Sequence, residues 1–316
     1  MIFMLRESGE RGIEKRSTMT MYSNYYNLYD NTPDEAQQLL QANPFFPANN
    51  AELRRRRLLQ QILNEQIGGV LPPSLDLSRV HRVLDVQCGS GEWIVELARL
   101  YPSMEIIGID HRAYFIEHAR NSMHSAGNVT FQLQDRVLPD QRLFAPGSFD
   151  LIHLQLLATR LTPRAFPALM HALARFSRPG GLIVWCEAEL PITNSLACER
   201  MTGIILEGLT IMGQKFCPGH SLGITAHLRH RIANAGYRIL HDQPYVIEVS
   251  AHTDIHKAFC QQVRLFGKQV QPFLFKTGVT TKKAFEEIYA KAMQEIREES
   301  FCGLCFLRCV VGVKGS

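Results

Sequence analysis

The chain of 316 residues is long enough for one large domain, or for a core domain with a cap, and its 46% apolar residues can bury a substantial core. A formal net charge of +4 is too small at this length to indicate nucleic-acid binding, and no apolar run is long enough to span a bilayer or resembles a signal peptide. Eight cysteines in a chain of this length do not form the pattern of a disulfide scaffold. We therefore expect a cytoplasmic protein with no nucleic-acid partner and no membrane span.

The first thirty residues are polar and then rich in tyrosine. Residues 1–20 carry many charges and are expected to form a disordered leader, or to lie upstream of the native start. Residues 22–30 contain four tyrosines. Their rings either pack on the domain surface or close over a ligand as an aromatic lid, with Tyr25 and Tyr26 in contact with it.

Two helices are predicted next, over about 33–42 and 51–66, so that residues 21–69 would form a lid and helical cap. The second helix contains four consecutive arginines, 54–57. Four helical residues sweep about 300°, so these arginines cannot all share one solvated face. Arg55 falls on the apolar stripe of the helix and must extend past it or pair with an acid. A phosphate-binding patch is the alternative to a solvated helix that caps the core.

From residue 82 onward, strand patterns alternate with helical patterns, which indicates an α/β fold with a parallel sheet. The predicted strands are 82–86, 105–109, 129–133, 149–155, 181–187, 245–249 and 305–313. The predicted helices are about 92–100, 112–125, 163–177, 192–216, 222–235, 253–275 and 281–298.

Residues 83–93 combine an apolar strand, a glycine-bearing turn and the start of a helix. This unit binds nucleotide-like ligands in doubly wound sheets. Gly89 and Gly91 suit a backbone that approaches a ligand closely or takes a positive φ. The next strand ends in Asp110, and an acid at that position can accept hydrogen bonds from ribose hydroxyls. The sequence therefore predicts a nucleotide-type site at the carboxyl ends of the first strands.

The pattern Asp85-x-x-Cys88-Gly89-x-Gly91, followed by Asp110, resembles the first two motifs of class I S-adenosylmethionine (SAM)-dependent methyltransferases. An NAD-binding turn would instead require glycine at position 87 and no acid at position 85. The chain departs from the family in one place, because glutamine stands where the family usually has its first glycine.

The resemblance covers roughly residues 70–313 and implies the family's architecture. That architecture is a Rossmann-like, seven-stranded, mostly parallel sheet with helices on both faces, whose last strand runs antiparallel between strands five and six. Helical insertions at about 190–220 and 250–300 would join the N-terminal helices in a substrate cap. The same N-terminal or inserted helices are candidate surfaces for homo-oligomerisation.

The resemblance also implies SAM as cofactor and S-adenosylhomocysteine (SAH) as its product. Asp135 would accept from the adenine amino group, and Arg136 would stack on the ring. The residues assigned to cofactor binding are Asp85, Gln87, Cys88, Gly89, Gly91, Asp110, His111, Asp135 and Arg136.

Acceptor chemistry is expected at the end of the fourth strand. His153 is a candidate base that takes a proton from a phenol, amine or carbon acid, and a packed histidine is the equal alternative. His220 and Glu187 are further base candidates. An alkene acceptor would need no base, and its carbocation would be stabilised by aromatic walls. The residues assigned to substrate binding are Tyr25, Tyr26, Gln155 and Phe216.

No metal site is expected. His252 and His256 have the spacing of helical metal ligands, but no third ligand is evident near them. Cys302, Cys305 and Cys309 lie in an apolar run and are predicted to be buried structural thiols.

We predict a methyltransferase of secondary metabolism that acts on the oxygen, nitrogen or carbon of a small, largely apolar acceptor, because the two insertions are apolar and rich in Met and Phe. RNA or protein methylation is a rival, but the fourth strand does not end in the family's Asn/Asp-Pro-Pro-Tyr/Phe-type motif. A second alternative is a protein that binds SAM without methylating, as a regulator or as a rearrangement catalyst that uses SAM as a fixed charge.

Overall fold

The computed structural model describes residues 45–123 and 127–315. The leader, the tyrosine-rich segment and the first predicted helix lie outside these residues. The helices are α1 (Asn50–Ile67), α2 (Glu92–Leu100), α3 (Ala113–Ser122), α4 (Ala165–Phe176), α5 (Leu196–Ile211), α6 (Ile224–Asn234), α7 (His256–Gln269), α8 (Gln271–Thr277) and α9 (Lys282–Glu295). The strands are β1 (Arg82–Val86), β2 (Glu105–Asp110), β3 (Val129–Leu133), β4 (Phe149–Gln155), β5 (Ser177–Ala188), β6 (Ile192–Thr193), β7 (Tyr237–Glu248) and β8 (Gly303–Lys314).

The strands form one mixed sheet in the order β3-β2-β1-β4-β5-β8, with β7 and the two-residue β6 both paired to β8. Neighbouring strands among β1 to β5 are parallel, whereas β8 is antiparallel to both β5 and β7. The predicted α/β architecture is therefore confirmed, including the antiparallel last strand. β6 is an addition that the sequence did not predict, since two residues form no recognisable strand pattern.

Several boundaries differ from the sequence prediction by a few residues, and two elements differ more. The strand predicted at 245–249 is β7, which extends back to Tyr237 because it pairs with β8 along most of its length, past an irregularity between Ile239 and His241. The helix predicted over 253–275 is two helices, because Pro272 lies in the first turn of α8, where the missing N–H of proline is tolerated.

The helix α1 covers the carboxyl ends of the strands and follows its predicted bounds. The side chain of Asn49 accepts a hydrogen bond from the N–H of Glu52 at 2.9 Å, and Gly68 ends the helix at φ +85°. Phe45, just before the helix, packs edge-on against Phe273 of α8, with ring centroids 4.9 Å apart. Phe45 thus joins the start of the described chain to the second insertion.

The arginine run in α1 divides between solvent and interior. Arg54 and Arg57 are exposed, whereas Arg55 is buried. Arg55 donates two hydrogen bonds of 2.7 Å to the fully buried carboxylate of Glu52, and its guanidinium lies over the ring of Phe46. The prediction that Arg55 pairs with an acid is therefore confirmed.

The prediction of buried thiols at the end of the chain is wrong in part. Cys302 precedes β8 and is exposed, and Cys305 is only half-buried. Cys309 is buried but forms a disulfide with Cys186, its direct partner in the β5–β8 register. The sequence could not show this pairing, because the two residues are 123 positions apart and meet only through the sheet topology.

The histidines with metal-like spacing have other contacts. His252 is exposed and lies 3.3 Å from a carboxylate oxygen of Glu248. His256 begins α7 and donates through Nδ1 to the carbonyl of Val249 at 2.9 Å. Across residues 45–123 and 127–315, no group of three or more His, Cys, Asp or Glu side chains is placed to hold a metal ion. The same described ranges contain no helix with the combined length and apolarity needed to cross a membrane.

Candidate functional site

A cavity of about 270 Å³ lies at the carboxyl ends of β1, β4 and β5, beneath α1 and the inserted helices. One part of its wall is apolar and the other carries polar and charged side chains. The apolar wall includes Phe45, Phe46, Leu59, Ile62, Met201, Ile205, Leu209, Phe259, Val263 and Phe266. The polar wall includes Arg56, Asp85, Gln87, Glu92, His153, Gln155, Arg160 and Glu187.

The turn after β1 has the backbone conformation that its glycines suggested. Gly89 and Gly91 have φ of +60° and +79°, values that residues with a Cβ rarely adopt. A Cβ at position 89 would collide with the guanidinium of Arg56, which reaches over the turn from α1. The glycine therefore allows close approach to its backbone, and in this structure an arginine side chain makes that approach. Cys88 in the same turn is buried, and burial raises the pKa of its thiol, so it is a neutral packing residue.

Gln87 takes the place of the family's usual glycine in an unusual way. Its φ is +61°, so it keeps the backbone conformation for which glycine is normally selected. Its buried amide donates through Nε2 to the carbonyl of Val137 at 2.8 Å, and its Oε1 lies 2.7 Å from Nδ1 of His111. Burial lowers the pKa of His111 to about 4, so the ring is neutral at pH 7 and donates to Gln87. Two hydrogen bonds thus offset the backbone strain.

Replacing Gln87 by alanine is expected to lower the free energy of unfolding by about 2 kcal/mol, because the change keeps the strained φ and removes both hydrogen bonds of the buried amide. Glycine at this position should restore about 1 kcal/mol of that loss, because it relieves the strain. Urea denaturation of the two variants measures the loss of stability in the alanine variant and the part of it that glycine restores. The exposed Gln243→Ala serves as the control, and a glycine variant no more stable than the alanine variant would contradict the strain argument.

Asp110 is fully buried at the end of β2 and has all its acceptor sites in use. It accepts from the N–H of Gly89 at 2.9 Å, from the N–H of Arg112 at 2.9 Å, and from two side-chain nitrogens of Arg112 at 3.0 Å each. Burial alone would raise the pKa of this carboxyl, but the Arg112 guanidinium outweighs burial and holds the pKa well below its usual range. Asp110 is therefore a carboxylate that orders the turn after β1.

Asp85 and His153 form a buried pair across neighbouring strands. They are direct partners in the β1–β4 register, and Nδ1 of His153 lies 2.8 Å from a carboxylate oxygen of Asp85. The imidazole stacks on the indole of Trp93, with centroids 3.7 Å apart and planes 3° from parallel. Burial raises the pKa of Asp85, and the contact with His153 opposes that rise. Because Nδ1 donates to Asp85, Nε2 is the ring nitrogen available as a proton acceptor.

Glu187 holds the loop that follows β4. Its carboxylate accepts from the N–H of Leu157 at 2.7 Å, from Nε1 of Trp185 at 2.8 Å and, more weakly, from the N–H of Ala158 at 3.4 Å. Leu156, which comes just before Leu157, has a φ of +52°. A leucine rarely adopts this conformation, and such strained residues tend to occur at functional sites. Burial raises the pKa of Glu187 to about 7, against the lowering effect of these donors.

The stability of the protein is therefore expected to depend on Glu187 between pH 4.5 and pH 7. An unfolded carboxyl of this type loses its proton near pH 4.5, while the folded one keeps it to about pH 7. The folded state thus binds more protons in this window, so its stability falls by about 3 kcal/mol as the pH rises through it and stays level above. Urea unfolding of the wild type and of Glu187→Gln across pH 4 to 8 measures this difference.

Glutamine at position 187 keeps an oxygen that can accept from Leu157 and Trp185, so it isolates the titration from the packing. The two stability curves should diverge between pH 4.5 and 7 in favour of the variant. Parallel curves would show that Glu187 is ionised in the folded state at all these pH values.

The structure brings some of the predicted site residues to the cavity but not others. Asp85, Gln87, Cys88, His153, Gln155 and Glu187 line it. His220 is exposed and is not part of its wall, and Phe216 is buried outside it, edge-on to Phe166. Neither residue follows the end of a parallel strand, so nothing in the topology directs its side chain to the cavity. Tyr25 and Tyr26 lie outside the described residues.

The remaining predicted cofactor residues lie beside the cavity. Gly89, Gly91, Asp110 and His111 are in the two turns next to its polar wall, joined by the hydrogen bonds already described. Asp135 and Arg136 follow β3, are exposed and do not line the cavity, so the predicted adenine contacts involve a more open surface.

A family model described as a methyltransferase domain matches residues 83–181. This stretch runs from β1 into β5 and includes the turn after β1 and the Asp85–His153 pair. Residues 83–181 thus match a methyltransferase domain, in agreement with the resemblance to the class I SAM-dependent methyltransferases. The sheet as a whole, with its antiparallel last strand, has the architecture that this resemblance implied.

Curated relatives of this methyltransferase domain match over part of their length. The secondary metabolism regulator laeA of Coprinopsis cinerea is 32% identical over 160 residues, which are 49% of this chain and 37% of that protein. The methyltransferase str2 of Strobilurus tenacellus is 26% identical over 193 residues, 60% of this chain and 58% of that protein. The chain thus spans about half the length of these relatives. Among solved structures, phosphoethanolamine N-methyltransferase 2 of Haemonchus contortus has a TM-score of 0.46 at 15% identity, over 83% of this chain and 53% of that one.

Sequence reasoning missed the charged residues that reach the cavity from other elements. Arg56 comes from α1, and Arg160 follows β4. The arginine run in α1 signalled that some of its members would turn inward, but not which ones would reach the glycine turn. The partnership between Asp85 and His153 was also missed, although the register of two adjacent parallel strands could have suggested it.

Proposed function

We propose that the protein transfers a methyl group from SAM to a small, largely apolar acceptor, in a pathway of natural-product type. The observation that carries this proposal is the Asp85–His153 pair, whose imidazole lines a mostly apolar cavity at the carboxyl ends of the strands. Ligands bind at that edge in open α/β sheets. Similarity to the methyltransferase str2 and to N-methyltransferase sirN of Leptosphaeria maculans supports the pathway type.

The residues around the turn after β1 fit SAM as a cofactor. Gly89 leaves backbone open to close approach, and Nε of Arg56 beside it is buried without a hydrogen-bond partner among the described residues. Asp110 would accept from ribose hydroxyls once the Arg112 side chain yields an oxygen. We keep Gly91, His111, Asp135 and Arg136 as further cofactor contacts. When bound, SAM supplies an electrophilic methyl group.

The residues of the chain then perform two tasks. His153 accepts the proton of a hydroxyl, amine or carbon acid at Nε2, while Asp85 fixes the ring through Nδ1 and stabilises the imidazolium that forms. Trp93 holds the plane of the ring by stacking. The helices α1, α5 and α7 exclude water from the acceptor, which keeps the methyl donor from hydrolysis.

Methylation of an alkene carbon is the variant of this reaction that needs no base beforehand. The cavity offers aromatic faces for the resulting carbocation, but they are not the ones that the sequence suggested. Phe45, Phe46, Phe259 and Phe266 line it, whereas Phe216 does not. These rings would stabilise a positive charge next to the apolar wall.

Incubation of the protein with methyl-labelled SAM and a panel of apolar phenols, amines, acids and alkenes tests the proposal. We expect label transfer to at least one acceptor class and release of SAH. SAM binding measured by calorimetry, together with no transfer to any acceptor in the panel, would refute the transferase assignment.

That second outcome would favour a protein that binds SAM without methylating. One observation gives this alternative weight: Arg56 fills the space beside Gly89, and Arg112 saturates Asp110, so both must move before SAM binds in the family manner. A partial relative, laeA, is described as a regulator of secondary metabolism. Calorimetry on Arg112→Ala tests whether Arg112 must move before the cofactor binds. If it must, the variant should bind SAH more tightly than the wild type.

A further inference from the structure

A group of half-buried arginines surrounds the polar wall of the cavity. Arg56, Arg112 and Arg160 come from α1, from the turn after β2 and from the loop after β4, and we call them the arginine cluster. All three arginines lie close enough to Asp110 to interact electrostatically with its carboxylate. Since Arg112 already takes both oxygens of Asp110, that acid has no acceptor site left for the other two.

The other acids near the cluster are also paired. Glu52 accepts two hydrogen bonds from Arg55, and Glu92 lies 3.7 Å from Nε of Arg56. Neither contact reaches Arg160. Its Nη1 is buried and has no hydrogen-bond partner among the residues that the structure describes.

Arg160 therefore has no ion-pair partner among the residues that the structure describes, and the charges of Asp110 and Glu52 act on it without a direct contact. Burial lowers the pKa of its guanidinium well below the usual value, and the charges of Arg112 and Arg56 lower it further. A buried cation without a paired anion is strongly unfavourable, and removing solvent from it makes any anion that arrives bind more tightly. The planar fork of a guanidinium matches the oxygens of a carboxylate or phosphate.

The loop that carries Arg160 is held in place from two sides. Glu187 accepts from the N–H groups of Leu157 and Ala158, and Nε2 of Gln214 donates to the carbonyl of Thr159. These contacts fix the residues immediately before Arg160 at the wall of the cavity. Fixed donors lose little conformational freedom when they bind a ligand.

We propose that the acceptor is amphipathic, with an apolar body against the cap and a carboxylate or phosphate head bound by Arg160. This proposal rests on the proposed function and names the substrate class for it. The apolar wall suits the body, and the guanidinium of Arg160, whose buried Nη1 has no hydrogen-bond partner among the described residues, suits the head. One end of the cavity thus selects for size and apolar surface, and the other for charge.

Ligand-observed NMR titration with octanoate and octanol tests the proposal, because the two probes share an apolar body and differ in the head. The titrations are done on the full chain saturated with SAH. We expect octanoate to bind at least about tenfold more tightly than octanol, in line with a charge-assisted hydrogen bond to a buried guanidinium. Arg160→Gln should abolish this preference, and Arg160→Lys should keep part of it.

Arg57→Gln is the matched control, since it removes one positive charge from the exposed side of α1 and should leave the preference unchanged. Equal affinity for both probes, or a preference that survives Arg160→Gln, would overturn the proposal. A preference seen only without SAH would also overturn it, because the carboxylate of the cofactor would then be the anion that binds Arg160.

The SAH affinity of each variant, measured in the same samples, reports whether its site is folded. It also separates the two proposals. A protein that prefers octanoate but never transfers label refutes the transferase assignment and not the anion site. A protein that transfers label without preferring octanoate refutes the anion site alone.

Discussion

Replacing His153 by asparagine is expected to lower kcat for methyl transfer by about 100- to 1000-fold for an acceptor that must lose a proton, the range typical of a lost general base. Asparagine keeps a donor that can reach Asp85 but has no nitrogen that accepts a proton at the Nε2 position. The KM for SAM should change little, because the substitution leaves the turn after β1 intact. Steady-state kinetics with labelled SAM measures both constants.

Asp85→Asn tests the same pair from the other side. It removes the charge that fixes the tautomer and stabilises the imidazolium, so kcat should fall by about 10- to 100-fold with the fold retained. His171→Asn, on the exposed face of α4, controls for the loss of a histidine. If both site variants keep wild-type kcat, His153 is a packed histidine and the acceptor needs no base.

Breaking the ion pair in α1 is expected to have the largest effect on stability. Glu52 is fully buried and forms its ion pair at hydrogen-bond distance with Arg55, so Arg55→Ala removes the cation that pairs with a buried carboxylate. The free energy of unfolding should fall by about 3 to 5 kcal/mol. Arg55→Ala also removes the contact with the ring of Phe46, which adds to the loss. Urea denaturation at constant pH measures the change.

The double substitution Glu52→Leu with Arg55→Leu is the informative partner of that experiment. It removes both charges together, so it should be close to neutral or even stabilising, as replacement of a buried ion pair by apolar side chains often is. Arg54→Ala, on the exposed face of α1, should change stability by less than about 0.5 kcal/mol. A double variant as unstable as Arg55→Ala would mean that the shape of the two side chains, and not their charge, determines how much this site stabilises the fold.

Much of the fold could be predicted from local pattern. β1, β3 and β4 have their predicted bounds, because a buried parallel strand is a short apolar run with turn residues on both sides. β7 was predicted at less than half its length, since its first half mixes apolar and polar residues of varied exposure and is extended through pairing with β8. The same dependence on a distant partner explains why the sequence predicted neither β6 nor the disulfide between Cys186 and Cys309.

The site could be predicted to the extent that it lies on the strand ends. Asp85, Gln87, His153, Gln155 and Glu187 follow or end parallel strands, and the sheet rule placed them together at the cavity. His220 and Phe216 were chosen for their chemistry alone, and the structure does not bring them there. Residue type without topology was a poor guide.

The sequence by itself determined the parallel core, the glycine turn at residues 88–91 and the acids that end β1 and β2, because each depends on neighbours within a few positions. It left the role of Gln87 open, and the tertiary structure decided it: the side chain turns into the protein and bonds Val137 and His111. Only the tertiary structure placed Arg56 over Gly89 and left Nη1 of Arg160 without a hydrogen-bond partner among the described residues. Such placements depend on long side chains from separate elements that compete for the same few acids, and no local pattern records the outcome of that competition.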